Sequence, residues 1–600
     1  MKDFIKQTFA SLIGTVAGLM LFGALGVSGL VMLIITAASQ ESGPVVKDKS
    51  VLVFDLATQI RDTEPQSTLG DALAGSEVNS IPLRTVLNAI EKATKDDRIV
   101  ALFIDGSKSS DSLTGYATLK EVRAALEEFK AAGKQIIAYD VDLGEREYYL
   151  SSIADRVILN PMGALELNGF SSEPLFLAEA LDKYGIGIQI VRVGQFKSAV
   201  EPFTRQDLSP ENRQQTEQLL GDLWQEYITV VGESRKLKTT QLQAIADTQG
   251  FLLPNEAKGS GLVDQVAYLD QVIDDLKKLT DRKEDDKSFR KISLGSYADV
   301  PVKNVKERFS KNKIAIVYAE GSIVNGEGTL DSIGGDRFAN QIRKIRQDEN
   351  VKAVVIRINS PGGSATASEI ILRELQLINQ EKPVIISMGD VAASGGYWIA
   401  TGGNQIFAQA NTITGSIGVF GILPNVQEIA NNNGITWDVV KTGELADLGT
   451  ASRPKTEAEL AIYQKAVNQV YTEFLNKVAK ARNLPKEKVA EIAQGRVWSG
   501  EDAKALGLVD EIGGIDAAIE AAAAKAELED DWEVQEYPKN RSLEERILET
   551  VIGEASVKNA KTVDPLTAEF LKLKEDLAVF QTLNDPRGVY VRLPFNLRID

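Results

Sequence analysis

The chain has 600 residues, 43% of them hydrophobic and 25% charged, and its formal net charge is -18. Because one hydrophobic core rarely extends over so long a chain, we expect two or more domains. The acidic balance argues against a nucleic-acid partner, which would require clustered Lys and Arg.

The sequence contains neither cysteine nor histidine. Their absence excludes disulfides, thiol nucleophiles, Cys/His zinc sites and a Ser-His-Asp triad. A hydrolase made from this chain must therefore take its base from lysine, a carboxylate, tyrosine or a terminal amine. A carboxylate-only metal site remains open, but no EF-hand-type spacing occurs, and we expect no metal and no cofactor.

The N-terminal segment 11–38 carries no charged residue and exceeds the roughly 20 apolar residues that a spanning helix needs. We therefore predict a retained, single-pass membrane anchor within residues 1–42, with the rest of the chain on one side of the membrane. A cleaved signal peptide is the alternative, but no convincing cleavage site follows. Lysines flank both ends of the segment, so the positive-inside rule hardly decides its orientation.

After this segment, strand-like and helix-like patterns alternate. Residues 50–60 (SVLVFDLATQI) read as a buried strand, and residues 118–140 (TLKEVRAALEEFKAAGKQIIAYD) read as a helix followed by a strand. Such alternation predicts βαβ units and an α/β fold with a mostly parallel sheet.

The two halves of the chain also resemble each other in sequence. Residues 258–276 (KGSGLVDQVAYLDQVIDDL) resemble 504–522 (KALGLVDEIGGIDAAIEAA), and residues 148–161 align without gaps with 397–410 at an offset of 249. Repeats in the same order indicate two homologous α/β domains.

We place the first domain at about 45–280, a charged linker at 281–311 and the second domain at 312–535. The charge run in the linker is typical of a solvated surface rather than of a binding site. A C-terminal tail occupies 536–600. Its end, DPRGVYVRLPFNLRI (585–599), reads as a strand that is available for pairing across subunits.

Ser394 follows a strand pattern and precedes a short helical stretch in GDVAASGGYWIA (389–400). The two glycines after it allow a substrate to approach closely, and the positive end of the helix favours developing negative charge. These features suit a nucleophile, whereas the simpler interpretation is an N-cap serine with glycines for tight packing. At the offset of 249, Ser394 aligns with Glu145, so the first domain lacks the nucleophile.

Lys197 lies in VRVGQFKSAVEPF (191–203), among mostly apolar neighbours. Burial lowers the pKa of a lysine from about 10.4, because the charged form loses solvation, and a neutral lysine can act as a base. The simpler interpretation is a surface lysine. Lys197 aligns with Ala446, so one domain keeps the serine and the other keeps the lysine. This complementary loss predicts a Ser394–Lys197 pair.

Two further motifs would complete an acyl-transfer site. A Pro-Gly-Gly turn after a central strand would present the amides of Gly362 and Gly363 to an oxyanion, although Pro-Gly is also common in plain turns. In TITGSIGVFG (412–421), the hydroxyl of Ser416 would orient the lysine amine.

Together, INSPGGSATASE, GDVAASGGYWIA, TITGSIGVFG and VGQFKSAVEPFT resemble the long, duplicated form of the bacterial signal peptide peptidase family, also called protease IV. The resemblance covers residues 50–535 and implies two tandem ClpP/crotonase-like domains with a serine/lysine dyad. The site residues that it implies are Ser394 as nucleophile, Lys197 as general base, Ser416 as the residue that holds the lysine, and Gly362 and Gly363 as oxyanion donors.

The same resemblance implies an activity and a setting. Members of the family are membrane-anchored serine endopeptidases that hydrolyse residual signal peptides and other extended, apolar peptides. The duplicated form assembles as a homotetramer, with its catalytic domains on the extracytoplasmic, periplasmic-type side of the membrane. We therefore expect peptide substrates, a homo-oligomer and a membrane contact, and no nucleic acid.

Two other function classes remain open. A crotonase-type acyl-CoA enzyme would use paired amides in the same fold, with Glu145 as a candidate acid or base. A non-catalytic membrane scaffold would retain both domains without a reactive serine.

Overall fold

The computed structural model describes residues 45–63, 80–108, 114–301, 310–329, 331–538, 585 and 589–593. The predicted anchor in residues 1–42 and most of the predicted tail lie outside these ranges. Over the described ranges, no helix is both long and apolar enough to cross a bilayer.

The first half of the chain alternates strands and helices, as the sequence predicts. Its strands are β1 Ser50–Asp55, β2 Gln59–Arg61, β3 Ser80–Pro82, β4 Ile99–Gly106, β5 Gln135–Leu143, β6 Arg156–Leu167, β7 Gly187–Val193, β8 Gly250–Leu252, β9 Gln265–Val266 and β10 Lys291–Ser293. Its helices are α1 Leu83–Lys95, α2 Tyr116–Ala131, α3 Glu145–Ser151, α4 Ala178–Lys183, α5 Glu201–Thr204, α6 Pro210–Arg235, α7 Thr239–Thr248, α8 Pro254–Gly259, α9 Leu269–Leu279 and α10 Leu294–Ala298.

The second half repeats this alternation. Its strands are β11 Lys313–Glu320, β12 Ser322–Val324, β13 Ser332–Gly334, β14 Val351–Ser360, β15 Gly362–Ser364, β16 Val384–Ala393, β17 Gln405–Ala408, β18 Ile413–Gly415, β19 Val419–Asn425, β20 Val497–Ser499, β21 Glu511–Ile512, β22 Glu533–Tyr537 and β23 Val589–Arg592. Its helices are α11 Gly335–Gln347, α12 Ala365–Ile378, α13 Gly395–Ala400, α14 Gln427–Asn432, α15 Glu457–Arg482, α16 Lys486–Ile492, α17 Gly500–Ala505 and α18 Ile515–Lys525.

Each half contributes one sheet with the same topology. The strand order is β10-β1-β4-β5-β6-β8 in the first sheet and β22-β11-β14-β16-β18-β20 in the second. In both sheets the last strand pairs antiparallel and the others along this path pair parallel. The common topology confirms the internal repeat.

The central strands are buried between helices. β4 reads IVALFIDG and β14 reads VKAVVIRINS, nearly continuous apolar runs, as expected where helices cover both faces of a parallel sheet. Helix α11 buries Phe338, Ile342 and Ile345, which lie on one face at helical spacing. The core therefore lies on the faces of the sheets and leaves the strand ends available for a site.

A third sheet joins the two halves. Its order is β13-β12-β15-β23-β19-β7, so β7 of the first half pairs with β19 of the second. This antiparallel pairing runs from Val193 opposite Val419 to Gly187 opposite Asn425. Because Lys197 follows β7 closely and Ser416 lies in the short connection between β18 and β19, the pairing brings these two residues near each other.

A buried ion cluster also crosses between the halves. Arg357 of β14 is fully buried, and its guanidinium donates to Asp62 Oδ1 at 2.8 Å and to Glu121 Oε1 at 2.7 Å, both from the first half. Burial alone would lower the pKa of Arg357, but the two carboxylates raise it above its ordinary value. The arginine therefore stays charged and ties the second sheet to the first half.

Two predicted segments differ from the structure. Within the stretch 281–311, predicted as a linker, β10 pairs parallel with β1 and buries Ile292. Its short apolar pattern is hidden among charged neighbours, so the sequence gives little sign of this edge strand. Near the C-terminus, the predicted strand is confirmed as β23, but its partners are β15 and β19 of the same chain rather than of another subunit.

Candidate active site

Ser394 lies at the junction between β16 and α13. Its φ of 56° and ψ of -109° form a backbone conformation that residues with a side chain rarely adopt. The N–H of Ser394 donates to Gly415 O at 2.8 Å, which holds this turn. Backbone strain of this kind costs on the order of 1–3 kcal/mol and clusters at active sites. The sharp turn presents the serine hydroxyl to the connection between β18 and β19.

Lys197 lies in a turn between β7 and α5 that docks against the second half. The N–H of Phe196 donates to Gln494 O at 2.9 Å, and the Arg496 guanidinium lies over the Phe196 ring, 5.1 Å from its centroid. From α6, Gln215 Nε2 donates to Phe196 O at 3.1 Å. These contacts fix the backbone from which the lysine side chain extends.

The structure brings the three predicted polar side chains together. Lys197 Nζ lies 2.8 Å from Ser394 Oγ, 2.9 Å from Ser416 Oγ and 3.0 Å from Ser416 O. The N–H of Ser416, whose φ is 51°, donates to Arg496 O at 2.7 Å. The serine and the lysine therefore meet within one chain, a point on which the sequence is silent.

The hydrogen bonds around Lys197 Nζ show which protonation state of the amine can accept a proton from Ser394. Ser416 O can only accept, so one N–H of Lys197 must donate to it. A neutral amine then keeps one N–H and one lone pair for the two hydroxyls, and Ser394 can donate its proton to the lone pair. A protonated amine has no lone pair for the serine proton. Lys197 can therefore act as a base only in its neutral form.

Burial favours that neutral form. Desolvation of the ammonium lowers the pKa of Lys197 well below its ordinary value. Glu201, the nearest carboxylate in the sequence, would oppose this shift if it faced the amine. Its carboxylate instead accepts hydrogen bonds from Ser209 and Asn212. This carboxylate therefore does not face the amine, and Lys197 is fully buried, as its apolar sequence neighbours predict.

Two glycines make room for the lysine. A Cβ on Gly495 would lie 2.6 Å from Lys197 Cβ, and a Cβ on Gly418 would lie 3.1 Å from Lys197 Cδ. Gly495 also has a φ of +78°, where other residues are strained. Neither role was predicted from the sequence. At the repeat offset of 249 Gly418 aligns with Gly169, a shared glycine that could have marked the position, but nothing local marks Gly495.

The predicted oxyanion glycines lie beside the nucleophile, in β15. The N–H of Gly362 donates to Ser360 Oγ at 3.1 Å, and Gly363 pairs with Val591 of β23. A Cβ on Gly362 would lie 2.6 Å from Gly395 N, so these two glycines adjoin. Gly395 begins α13, and the first N–H groups of a helix have no intrahelical acceptor. Its amide is a candidate oxyanion donor that the sequence analysis did not name.

In the first half, Glu145 occupies the position equivalent to Ser394. It is buried, and its Oε1 accepts hydrogen bonds from the N–H groups of Asn168 at 2.8 Å and Gly169 at 3.3 Å. Gly169 is the repeat partner of Gly418, so this carboxylate caps the first-half loop that corresponds to residues 417–418 of the second half. Glu145 therefore serves a local structural role, which weakens the acyl-CoA alternative.

Sequence comparisons match both halves to known families. The profile of "Peptidase family S49" matches residues 128–283 and 376–529, one stretch in each half. The profile of "Clp protease" matches residues 306–414, which include β14 and β16. Together with the common sheet topology, these matches indicate two tandem ClpP-like α/β domains.

Three relatives align over most of this chain. "Protease 4" of Salmonella typhi is 34% identical over 564 residues, which cover 90% of each chain. "Protease 4" of Haemophilus influenzae is 35% identical over 586 residues, which cover 94% of each chain. "Serine protease SPPA, chloroplastic" of Arabidopsis thaliana is 33% identical over 488 residues, which cover 80% of this chain and 70% of its own.

Proposed function

The chain belongs to peptidase family S49 and is a serine peptidase, and from this premise we propose that it is a membrane-anchored endopeptidase with a Ser394–Lys197 dyad. The observation that carries the proposal is the 2.8 Å contact between Ser394 Oγ and Lys197 Nζ, with both residues fully buried. Burial favours the neutral amine, and the contact gives it the serine proton to accept.

In the proposed reaction, Ser394 Oγ attacks the carbonyl carbon of a peptide bond while Lys197 Nζ takes its proton. The lysine ammonium then donates that proton to the leaving amine, and the N-terminal part of the substrate remains as an ester on Ser394. Lys197 next removes a proton from water, which hydrolyses the ester and restores the serine. Ser416 is a positioning residue, because its hydroxyl and carbonyl hold Nζ in place.

We assign the oxyanion site to the amide of Gly395 together with those of Gly362 and Gly363 in β15, where the N–H of Gly362 has to exchange Ser360 Oγ for the oxyanion. This assignment rests on the position of the glycines, because Gly395 directly follows the nucleophile and adjoins Gly362. The dipole of α13 adds to the positive potential at this point. Removing one such donor typically costs about 10²–10³ in rate, so their placement matters for catalysis.

The substrates we propose are extended, largely apolar peptides, with residual signal peptides among them. β15 and β19 flank the dyad, and β23 pairs with both, so the third sheet accepts an extended segment beside the nucleophile. The apolar side chains of Ala199, Val200, Phe420 and Ile422 cluster beside this path. They favour apolar residues in the bound peptide.

The membrane part of the proposal rests on the uncharged segment 11–38, whose length suits a spanning helix. We place the catalytic domains on the extracytoplasmic side, as the family resemblance implies. In membrane fractions washed with alkaline carbonate, the full chain should remain in the pellet. Release into the supernatant would contradict the anchor.

The proposal also includes a homo-oligomer, with a tetramer as the expected size. By the repeat offset, β7 corresponds to residues 436–442, which are exposed and outside the sheets, and β19 corresponds to residues 170–176, which are also outside them. Pairing of 436–442 in one chain with 170–176 in the next would repeat the β7–β19 pairing between subunits and close a ring. Trp437 and Val440 are 47% and 96% exposed in the single chain, which supports a partner here.

Active-site labelling tests the dyad. A serine-directed phosphonylating probe, followed by mass spectrometry, should modify Ser394 in the native chain and not in the heat-unfolded chain. Lys197→Met should slow the modification, because the serine loses its base. A non-catalytic scaffold would show no modification at Ser394, and an acyl-CoA enzyme would instead bind CoA in a direct binding assay.

A further inference from the structure

Three separate stretches of the chain have to meet for the proposed site to form. Lys197 comes from the turn after β7, Ser394 from the end of β16, and Ser416 from the connection between β18 and β19. A hydrogen bond between an amine and a hydroxyl holds only over about 2.7–3.2 Å. A misplacement of about 1 Å can cost roughly 10²-fold in rate. Residues that tie these three stretches to one another are therefore candidates for a role in catalysis.

Gln215 of α6 contacts the lysine turn on both sides of the lysine. It is 1% exposed, and its Nε2 donates to Phe196 O at 3.1 Å and to Ser198 Oγ at 3.0 Å. These two acceptors flank Lys197 in the sequence. The side-chain amide of Gln215 therefore holds the turn just before and just after the residue that carries the amine.

The oxygen of the same amide contacts the strand that holds the two serines. Gln215 Oε1 accepts a hydrogen bond from the N–H of Val497 in β20 at 3.3 Å. Val497 pairs with Gly415 of β18, whose carbonyl accepts from the N–H of Ser394. The carbonyl of the residue before Val497 accepts from the N–H of Ser416. One side chain thus joins the backbone of the lysine in the first half to the backbones of both serines in the second.

Glu201 determines the orientation of this amide. Its carboxylate can only accept, and it accepts from Ser209 and from Asn212 Nδ2 at 2.9 Å. Asn212 therefore directs its Oδ1 away from Glu201, and this oxygen accepts from Gln215 Nε2 at 3.0 Å. Reversing the amide of Gln215 would place its NH₂ group against the N–H of Val497.

This network is deeply buried. Glu201, Asn212 and Gln215 are 1%, 3% and 1% exposed. A buried polar network in which each member has its partners is rigid and specifies one arrangement, because an unpaired polar group is costly in such surroundings. The network therefore fixes the lysine turn against β20 in one position.

We propose that Gln215 is a positioning residue of the peptidase, and that the Glu201–Asn212–Gln215 network sets the position of the Lys197 amine relative to the two serine hydroxyls. The proposal rests on the proposed function of Ser394 and Lys197. It gives a catalytic reason for three buried polar side chains that act only through the backbone of the site.

Loss of the Gln215 amide should change the environment of Lys197. A turn that is no longer held can move away from β20, and the amine then gains solvation. Because desolvation is the cause of the lowered pKa of Lys197, this pKa should move back toward its ordinary value of about 10.4. The proposed reaction needs the neutral amine, so it should then require a higher pH.

Two further charged groups contact the same turn. Arg192 Nη1 donates to Lys197 O at 3.4 Å, and the Arg496 guanidinium lies over the Phe196 ring. Arginine keeps its charge throughout the pH range of such an experiment. A change in the pH midpoint therefore reports on the lysine rather than on these groups.

The test replaces Gln215 with methionine, which has a similar length but no amide. The matched control is Gln243→Met in α7, which removes the acceptor of a 2.7 Å hydrogen bond from Trp224 of α6. The control thus weakens the anchoring of the same helix while it retains the Gln215 amide. We would measure the rate of Ser394 labelling by a phosphonylating probe between about pH 6 and 10, together with kcat and KM for a short apolar peptide.

In Gln215→Met, we expect the pH of half-maximal labelling to rise by about half a unit or more. We expect kcat to fall about tenfold with KM unchanged, because the network acts through Lys197. Gln243→Met should lower the melting temperature and keep the wild-type pH profile.

Ser198→Ala is a milder variant, which removes a single acceptor of Gln215. Its midpoint should move in the same direction by less, which tests the proposal even where Gln215→Met does not fold. The double variant should show little more than Gln215→Met alone, since Ser198 acts through that amide.

Three other results would overturn the proposal. A wild-type pH midpoint in every folded variant would show that the network does not position the lysine, and would leave the dyad intact. An equal shift in Gln243→Met would make the effect a general loss of stability. No labelling of Ser394 in the wild-type chain would remove the proposed function and the role of Gln215 with it.

Discussion

At the scale of single residues, the proposed reaction depends on a lysine that is uncharged. Burial of Lys197 favours this state, because desolvation lowers its pKa. Its amine is then held by Ser416, through both a hydroxyl and a carbonyl, and faces Ser394 Oγ. In the proposed reaction, a serine and a lysine thus carry out the steps for which other hydrolases use histidine, which this chain lacks.

A buried neutral lysine makes the stability of the protein depend on pH. The folded-state pKa of Lys197 lies below the unfolded value of about 10.4, so the unfolded chain binds more protons between these two pKa values. Folding stability should therefore rise with pH across that window. Lys197→Met removes this penalty, so we expect the variant's stability gain over wild type to shrink as the pH rises toward 10. Urea unfolding at several pH values measures the difference in unfolding free energy between the variant and wild type. A difference that does not vary with pH would contradict the buried neutral amine.

Ser416→Ala tests the positioning role of the second serine. It removes one of the hydrogen bonds that hold Nζ, a net loss of about 0.5–1.5 kcal/mol in a typical case. We expect kcat to fall up to about tenfold while KM stays unchanged, since Ser416 does not touch the substrate in the proposed reaction. Ser416→Gly, which also lacks the hydroxyl but tolerates the positive φ of this position, should lose the rate to the same extent. A change in KM alone would contradict the positioning role.

At the scale of elements, the candidate catalytic side chains extend from turns rather than from helices or strands. Ser394 ends β16 with a positive φ, and Lys197 follows β7 in a turn that docks on residues 494–496. The sequence predicts the serine turn from its strand pattern and glycines. It does not predict the docking of Phe196 on Gln494, because that contact joins residues far apart in the chain and depends on tertiary packing.

Gly495→Ala tests whether this docking positions the lysine. The new Cβ would meet Lys197 Cβ and backbone atoms at 2.6–2.8 Å. Gly507→Ala is the matched control, since Gly507 also has a φ of +78° but its nearest atom is a flexible leucine side chain at 3.7 Å. Both variants should lose similar backbone stability. We expect only Gly495→Ala to lose most peptidase activity at temperatures where both are folded, and equal activities would contradict the role of this contact.

At the scale of the whole molecule, duplication explains the architecture and the division of the dyad. The two halves share a sheet order, yet one half retains the lysine and the other the serine. This division is readable from the repeat offset, because Ser394 aligns with Glu145 and Lys197 with Ala446. The position of β23 is not readable in the same way, because a short strand pattern does not specify which sheet edge it will join.

The Arg357 cluster should hold the halves in register. Arg357→Ala leaves the buried carboxylates of Asp62 and Glu121 without their cation, and breaking a buried pair typically costs about 3–5 kcal/mol. Arg343→Ala is the control, since its ion pair with Glu374 is 48% exposed on the arginine side and should contribute about 0–1 kcal/mol. Chemical unfolding curves compare the two. Equal losses of stability would contradict a special role for the cluster.

The most direct measurement of the central claim is the kcat/KM for an extended apolar peptide in Ser394→Ala and Lys197→Met. Each purified variant is first shown to be folded by its melting temperature. We expect both to lose on the order of 10³-fold or more of the wild-type activity, because each removes one partner of the proton transfer. Cleavage at near wild-type rates by either folded variant would contradict the Ser394–Lys197 dyad.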